Sequence, residues 1–299
     1  MWPTGERSWR APAVAERALL VDLLILHGEV LGRIADYERA AELAQVLVRD
    51  APDDGAAWLA RARTLATFHC FPEALADLDT AGRRGADRAA LDVERAAILQ
   101  AVGCYADARV LRRDAAERRP DFATLGALAV LETKHGKVTE AERLFTEARH
   151  HYRGVSPFPV AGLDFRRGLM WLRERDLPAA RAWFDAAVGR VPAYAPALGH
   201  LAEVDAALGA VNAGIDRLRP LAVSSDDPEY AANLAHMLSD AGHAQEAEHW
   251  RMSAAARYKE LVVRHPEAFV SHAAAFYRAV GGHRSTVRPV PLYRVVPGD

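Results

Sequence analysis

A small residue recurs along this chain at almost constant intervals: Ala40, Ala74, Ala108, Ala141, Ala180, Gly214 and Ala247. The spacings are 34, 34, 33, 39, 34 and 33 residues. A period of this size is the signature of a stacked-repeat architecture, because one such unit cannot bury its apolar face alone. Between the recurrent positions lie two amphipathic stretches of about 14 residues each. Gly103, Gly136, Gly209 and Gly242 fall five residues before the small position. Glycine there suits the left-handed conformation that ends a helix. Each unit therefore reads as two antiparallel helices, A and B.

Seven units can be written, beginning near Val21, Gly55, Ala89, Phe122, Ala161, Ala195 and Pro228. The eighth place is small in each: Gly28, Ala62, Ala96, Ala129, Gly168, Ala202 and Ala235. Small residues at places eight and twenty let helices A and B approach closely. Bulky residues at place four (Leu24, Trp58, Leu125, Leu198) and place eleven (Leu31, Leu65, Leu99, Trp171, Leu238) fill the space toward the next unit. Pro52, Pro120 and Pro192 follow the small position by twelve residues.

This pattern resembles the tetratricopeptide repeat family over residues 21–265. The best single matches are Trp58, Ala62, Leu65, Ala74 and the run Gly168, Trp171, Ala180, Phe184, Ala187, Pro192. The resemblance implies an all-α, right-handed α-α superhelix of about seven hairpins with a C-terminal capping helix. Several places depart from the pattern. Asp92 and Asp164 stand at place four, Glu132 and Asp205 at place eleven, and Arg112 and Arg251 at place twenty-four. The spacing of 39 predicts a five-residue insertion, a loop over Gly154-Val155-Ser156-Pro157-Phe158-Pro159.

The expected organisation is an N-terminal arm (1–16), the repeats (17–265), a capping helix (266–282) and an extended or disordered tail (283–299). The seventh helix B is predicted to be long, from about Ala244 to Arg264. Pro266 then opens a helix that covers the apolar face left by the last unit.

The 299 residues carry 38 Lys plus Arg, 40 Asp plus Glu and a net charge of -2. That balance argues against a general nucleic-acid binder, which needs a basic surplus. Charge is uneven, however. Residues 201–250 hold two arginines and nine acids, and residues 251–299 hold eight basic residues and three acids. The most apolar stretch, Ala18 to Leu26, is too short to span a bilayer and carries Asp22. Two cysteines make no disulfide framework; Cys70 and Cys104 read as reduced turn residues. A cytoplasmic protein is expected.

There is no P-loop, dinucleotide fingerprint, nucleophile elbow or HExxH, and the repeats leave no room for a catalytic domain. No cofactor or metal is expected. By the family resemblance, places two, five, six, nine, twelve and thirteen of helix A face the concave side. In units one to four these places are often apolar, as at Ile25, Leu26, Leu59, Gly126 and Val130, with Asp22, Glu29, Arg63 and Glu94 as polar exceptions. Such a groove suits a peptide or amphipathic helix. The Lys/Asn carboxylate clamp of one family branch is absent, since Ile25 and Glu29 stand at its places. Units five to seven are more polar, and Phe165, Arg166, Arg173, His200, Glu203, Asn233 and His236 are the candidate partner-binding residues. Aromatic and arginine side chains are enriched among binding hot spots. The leading expectation is a non-catalytic scaffold or adaptor for a protein or peptide partner. A ligand- or signalling-peptide-responsive regulator is the alternative. An enzyme using a metal at His200, Glu203 and His236 is a distant third.

Overall fold

The computed structural model describes residues 13–281, so most of the expected arm and all of the tail lie outside the described residues. Fifteen helices and no strand occur among the described residues: α1 (Val14–Leu31), α2 (Ile34–Asp50), α3 (Gly55–Thr67), α4 (Phe71–Arg83), α5 (Arg88–Ala101), α6 (Tyr105–Arg118), α7 (Phe122–Lys134), α8 (Val138–His151), α9 (Phe158–Arg173), α10 (Leu177–Arg190), α11 (Ala195–Ala207), α12 (Val211–Ser224), α13 (Pro228–Asp240), α14 (Ala244–Arg264) and α15 (Pro266–Gly281). None is long and apolar enough to cross a membrane. Each odd-numbered helix from α1 to α13 packs on the even-numbered helix after it, and each hairpin packs on the next.

The close approach of A and B is visible at the small places. Ala40, Ala74, Ala108, Ala141 and Ala180 are fully buried. A Cβ added at Gly168 would stand 2.5 Å from the Phe184 ring, and one at Gly214 2.7 Å from the Ala202 carbonyl. Gly103, Gly136, Gly209 and Gly242 hold φ between 68° and 91°. His69 and Arg175 take the same left-handed turn in units two and five, both at φ 61°. Aspartates start several A helices: Asp54, Asp87, Asp121 and Asp227 each accept a backbone N–H of the first turn.

Two boundaries differ from the sequence reading. The first helix begins at Val14, seven residues before the expected unit start and inside the expected arm. The insertion before unit five is shorter than expected. Phe158 and Pro159 already belong to α9, with Pro159 in the first turn, where its missing N–H costs no helical bond.

The charged residues at bulky places do not break the packing, because each finds an arginine. Glu132 on α7 accepts two bonds from Arg109 on α6 (2.8 and 3.1 Å), and Asp205 on α11 bridges Arg181 on α10 (2.6 Å) and Arg217 on α12 (2.9 Å). Arg109 and Arg181 occupy the same place in their units, so this is a repeated rung between neighbours. A second rung lies within units, joining Asp164 to Arg190 at 2.6 Å and Asp92 to Arg118 at 3.8 Å.

The stack also bends far enough for its ends to meet, which the repeat pattern alone did not reveal. Helix α1 touches α11, and Val30 is buried in one core with Phe165, Phe184, Tyr194 and Leu201. Asp226, in the turn before α13, accepts the first N–H groups of α2 from Ile34 (2.6 Å) and Ala35 (3.0 Å). Arg257 of α14 holds the same carboxylate at 3.0 Å. Gly32, at φ 62°, lies so close to Tyr230 that a Cβ would come within 2.7 Å of its ring. On a second patch His265 stacks on Phe68 with ring centres 3.9 Å apart and pairs with Glu38 at 2.8 Å. Leu261, Ile34 and Phe68 form a small buried cluster against which Phe269 of α15 packs.

Candidate functional site

Closure decides which part of the concave face stays open. The inner side of α1 toward its C-terminus is occupied by α9 and α11. What remains is a half-open cavity of about 350 Å³ where α1, α7 and α9 converge. Its walls are Leu26, Val30, Phe122, Gly126, Phe158 and Leu163, with Arg166 and Glu29 as charged members. Tyr194 closes one end and donates its hydroxyl to Glu29 at 3.2 Å. Gly126 has a structural reason: a Cβ there would meet Leu163 at 3.0 Å. The apolar lining continues along α1, where Leu19, Leu20, Leu23 and Leu26 are 58%, 48%, 51% and 38% exposed. Residues 19, 23 and 26 share one helix face.

The seven residues singled out from sequence do not form one open surface. Phe165 is buried, its ring 5.4 Å from Tyr194 and 5.7 Å from Phe184. His200 has no exposed surface; its ring stacks on Phe184 at 5.3 Å. Both are core residues: Phe165, at place five of unit five, shares a buried cluster with Val30, and His200, at place six of unit six, packs against Phe165 and Phe184. His200 Nδ1 lies 3.1 Å from Glu203, with the nitrogen as donor since a carboxylate only accepts. Asn233 donates to the other Glu203 oxygen at 2.7 Å. The Nε2 of His200 is buried without a hydrogen-bond partner.

His236 does not join this chain. It is exposed on α13 and faces Asp240 at 3.5 Å. The set His200, Glu203 and His236 is thus not brought together: Asn233, one turn before His236, takes the Glu203 oxygen. No group of three or more His, Cys, Asp or Glu is arranged to hold a metal among the described residues. Arg166 is exposed at the cavity, with no ion pair among the described residues. Arg173, also exposed, donates to the Thr133 carbonyl at the end of α7 (3.1 Å). Cys70 and Cys104 are free thiols.

The polar exceptions of the first half form a single network. Arg63 on α3 bonds Asp22 on α1 (2.8 and 2.9 Å) and Glu94 on α5 (2.8 Å). Three A helices are thereby tied across the concave side. Two cations escaped the sequence reading as site members. Arg112 of α6 is partly buried, with its Nε unpaired, and Lys134 ends α7 beside Arg173. Their signal was present: a charge at place twenty-four, and one of only three lysines in the chain, at place thirteen.

No protein-family model matches the chain, and no curated protein matches it in sequence. Solved structures match in fold. The human IFIT1 dimer with PPP-AAAA is 16% identical, with 92% of this chain and 70% of that one aligned at a TM-score of 0.64. The APC/C hetero-tetramer Cut9-Hcn1 is 16% identical over 89% of this chain, at a TM-score of 0.55. A tetratricopeptide repeat protein from Parabacteroides merdae is 12% identical over 88% of this chain and 98% of its own, at 0.53. This chain spans 49% of the Cut9-Hcn1 chain it matches. The fold is that of a tetratricopeptide-repeat-like protein, an all-α superhelix.

Proposed function

We propose that this protein is a non-catalytic interaction scaffold that holds a partner segment in the concave groove between α1, α7 and α9. The observation that carries this reading is the cavity itself. Apolar walls from unit one and from the neighbouring units four and five converge there, beside a row of half-exposed leucines on α1. Exposed, contiguous apolar surface rimmed by charge is what an interaction site leaves on a free chain. Repeat solenoids use such concave surfaces for partners. The partner is a protein or peptide. Of the residues proposed from sequence, Arg166 is the one at the cavity. Phe165 and His200 serve by shaping the wall from beneath.

A photo-crosslinking amino acid placed at Leu23 should capture a partner protein in the native cell. The same group at Val263, exposed on α14 away from the groove, should not. Equal capture from both positions would sink this reading.

The end-to-end closure supports a second reading, a regulator whose ends part or lock when a ligand binds. A change in radius of gyration on adding partner, measured by solution scattering, separates it from a rigid scaffold.

A further inference from the structure

Nearly every half-buried cation in this protein is spoken for. Arg61, Arg63, Arg95, Arg109, Arg167, Arg181, Arg217, Arg219, Arg251 and Arg257 each lie within ion-pair distance of a carboxylate. Among the described lysines and arginines that are partly buried, Arg112 and Lys134 are the exceptions. Each instead stands near another cation, Arg112 by Arg166 and Lys134 by Arg173. The one acid acting on Arg112 is Glu94, and Glu94 is already bonded to Arg63. Burial and the adjacent Arg166 push the Arg112 guanidinium down to about 10. Burial and Arg173 likewise lower the Lys134 ammonium. Holding unpaired charge away from water, beside like charge, costs free energy that a fold does not spend without return.

One of the four cations lines the cavity, and the other three are placed relative to it. Arg166 lines the cavity. Arg173 lies two helical turns further along α9, about 10 Å away at 1.5 Å per residue. Lys134 ends α7, the helix that supplies Phe122 and Gly126 to the cavity wall. We propose that Arg112 with Arg166, and Lys134 with Arg173, form two anion seats for an acidic peptide segment of the partner. The segment carries two carboxylates about 10 Å apart and an apolar side chain that enters the cavity beside the Arg166 seat. The inference rests on the concave groove being the binding face. Three residues of extended or polyproline chain cover that distance at about 3.1–3.3 Å each, so an acidic pair spaced i, i+3 fits. Arginine provides bidentate recognition of a carboxylate. A nucleic acid fits less well. The cavity wall is mainly apolar, Glu29 stands in it, and the net charge is -2.

The test is a phage-displayed library of random dodecapeptides, panned against the full chain. Selected peptides should be enriched in Asp and Glu at i, i+3 with Leu or Phe flanking one of the two acids. A synthetic selected peptide should bind at least tenfold more weakly to Arg112→Gln/Arg166→Gln. That variant, and Lys134→Gln, should melt at or above the wild-type temperature, since a costly unpaired charge has gone. A variant that melts lower would show that the cations are structural and overturn the proposal. Acid-free peptides that are lost in Leu23→Asp/Leu26→Asp would overturn the anion seats while keeping the groove. No selected peptide, or binding indifferent to both variants, would overturn both readings. A fluorescein-labelled oligo(A) 12-mer is the final arm. Binding of that RNA, lost in Arg112→Gln/Arg166→Gln, would make nucleic acid the occupant and overturn the peptide.

Discussion

His200 shows how a residue's meaning depends on what covers it. On helix A of unit six it sits at a place that the repeat turns toward the concave side, and from sequence it reads as a contact residue. In the folded chain it is sealed between Phe165 and Phe184, with Glu203 as its one hydrogen-bond partner. Nothing within its own unit reports this burial, because the rings that cover it, Phe165 and Phe184, come from unit five. His200→Ala should therefore behave as a large-to-small core substitution and cost about 2–4 kcal/mol. Chemical denaturation checks this; a wild-type midpoint would mean that the site is solvated after all. The carboxylates at bulky places teach the complementary lesson. Glu132 is buried, yet Arg109, Lys137 and Arg113 keep its pKa lowered against the desolvation that would raise it. Such a residue is an anomaly when read singly and a rung when read with its partner one unit away.

At the level of elements, the repeat was readable because its signals are local. Small residues at places eight and twenty and glycines in the A–B turns lie within one unit and act within it. The long α14 and the helix after Pro266 were likewise written in breakers. The start of α1 was missed because the residues from Val14 to Leu20 have no equivalent in the other units. What α15 covers also exceeded the reading. Tyr258 of α14 packs on Phe276 at 5.2 Å, as a cap would require. Phe269 meanwhile reaches the cluster of Ile34, Phe68 and Leu261, which joins the first two units to the last. Truncation after His265 should then do more than fray one end. It should lower the melting temperature and also increase dye binding and hydrogen exchange in α2 and in the α3–α4 turn. Exchange confined to α13 and α14 would show that α15 is only a terminal cap.

On the scale of the whole molecule, the contact between the first and last units is built on a run of acids. Asp226 caps α2 from outside, and Asp227 and Glu229 lie just beyond it at the start of α13. Burial, with Asp226 next to it, raises Asp227 to about 6, although the Glu229 N–H and Arg257 favour its charged form. Burial raises Glu229 as well, with Asp227 and Glu203 adding to the effect, and His272 of α15 stands 3.9 Å from its carboxylate. A carboxyl raised above its unfolded value stabilises the fold while protonated. Its contribution is complete below about pH 4 and is lost as pH climbs through about 6. His69 and His272 work the other way: burial lowers both, so their neutral forms favour the fold as pH rises through about 6.5. The two trends oppose each other, so the wild-type profile alone does not separate them, whereas a variant does. Asp227→Asn keeps a helix cap and removes the titration. Between pH 5 and pH 7.5 the variant should gain stability relative to wild type, by on the order of 1 kcal/mol at about 1.4 kcal/mol per pKa unit with allowance for partial exposure. Parallel melting curves for the two proteins across that range would show that Asp227 is solvated and that the ends do not close over it.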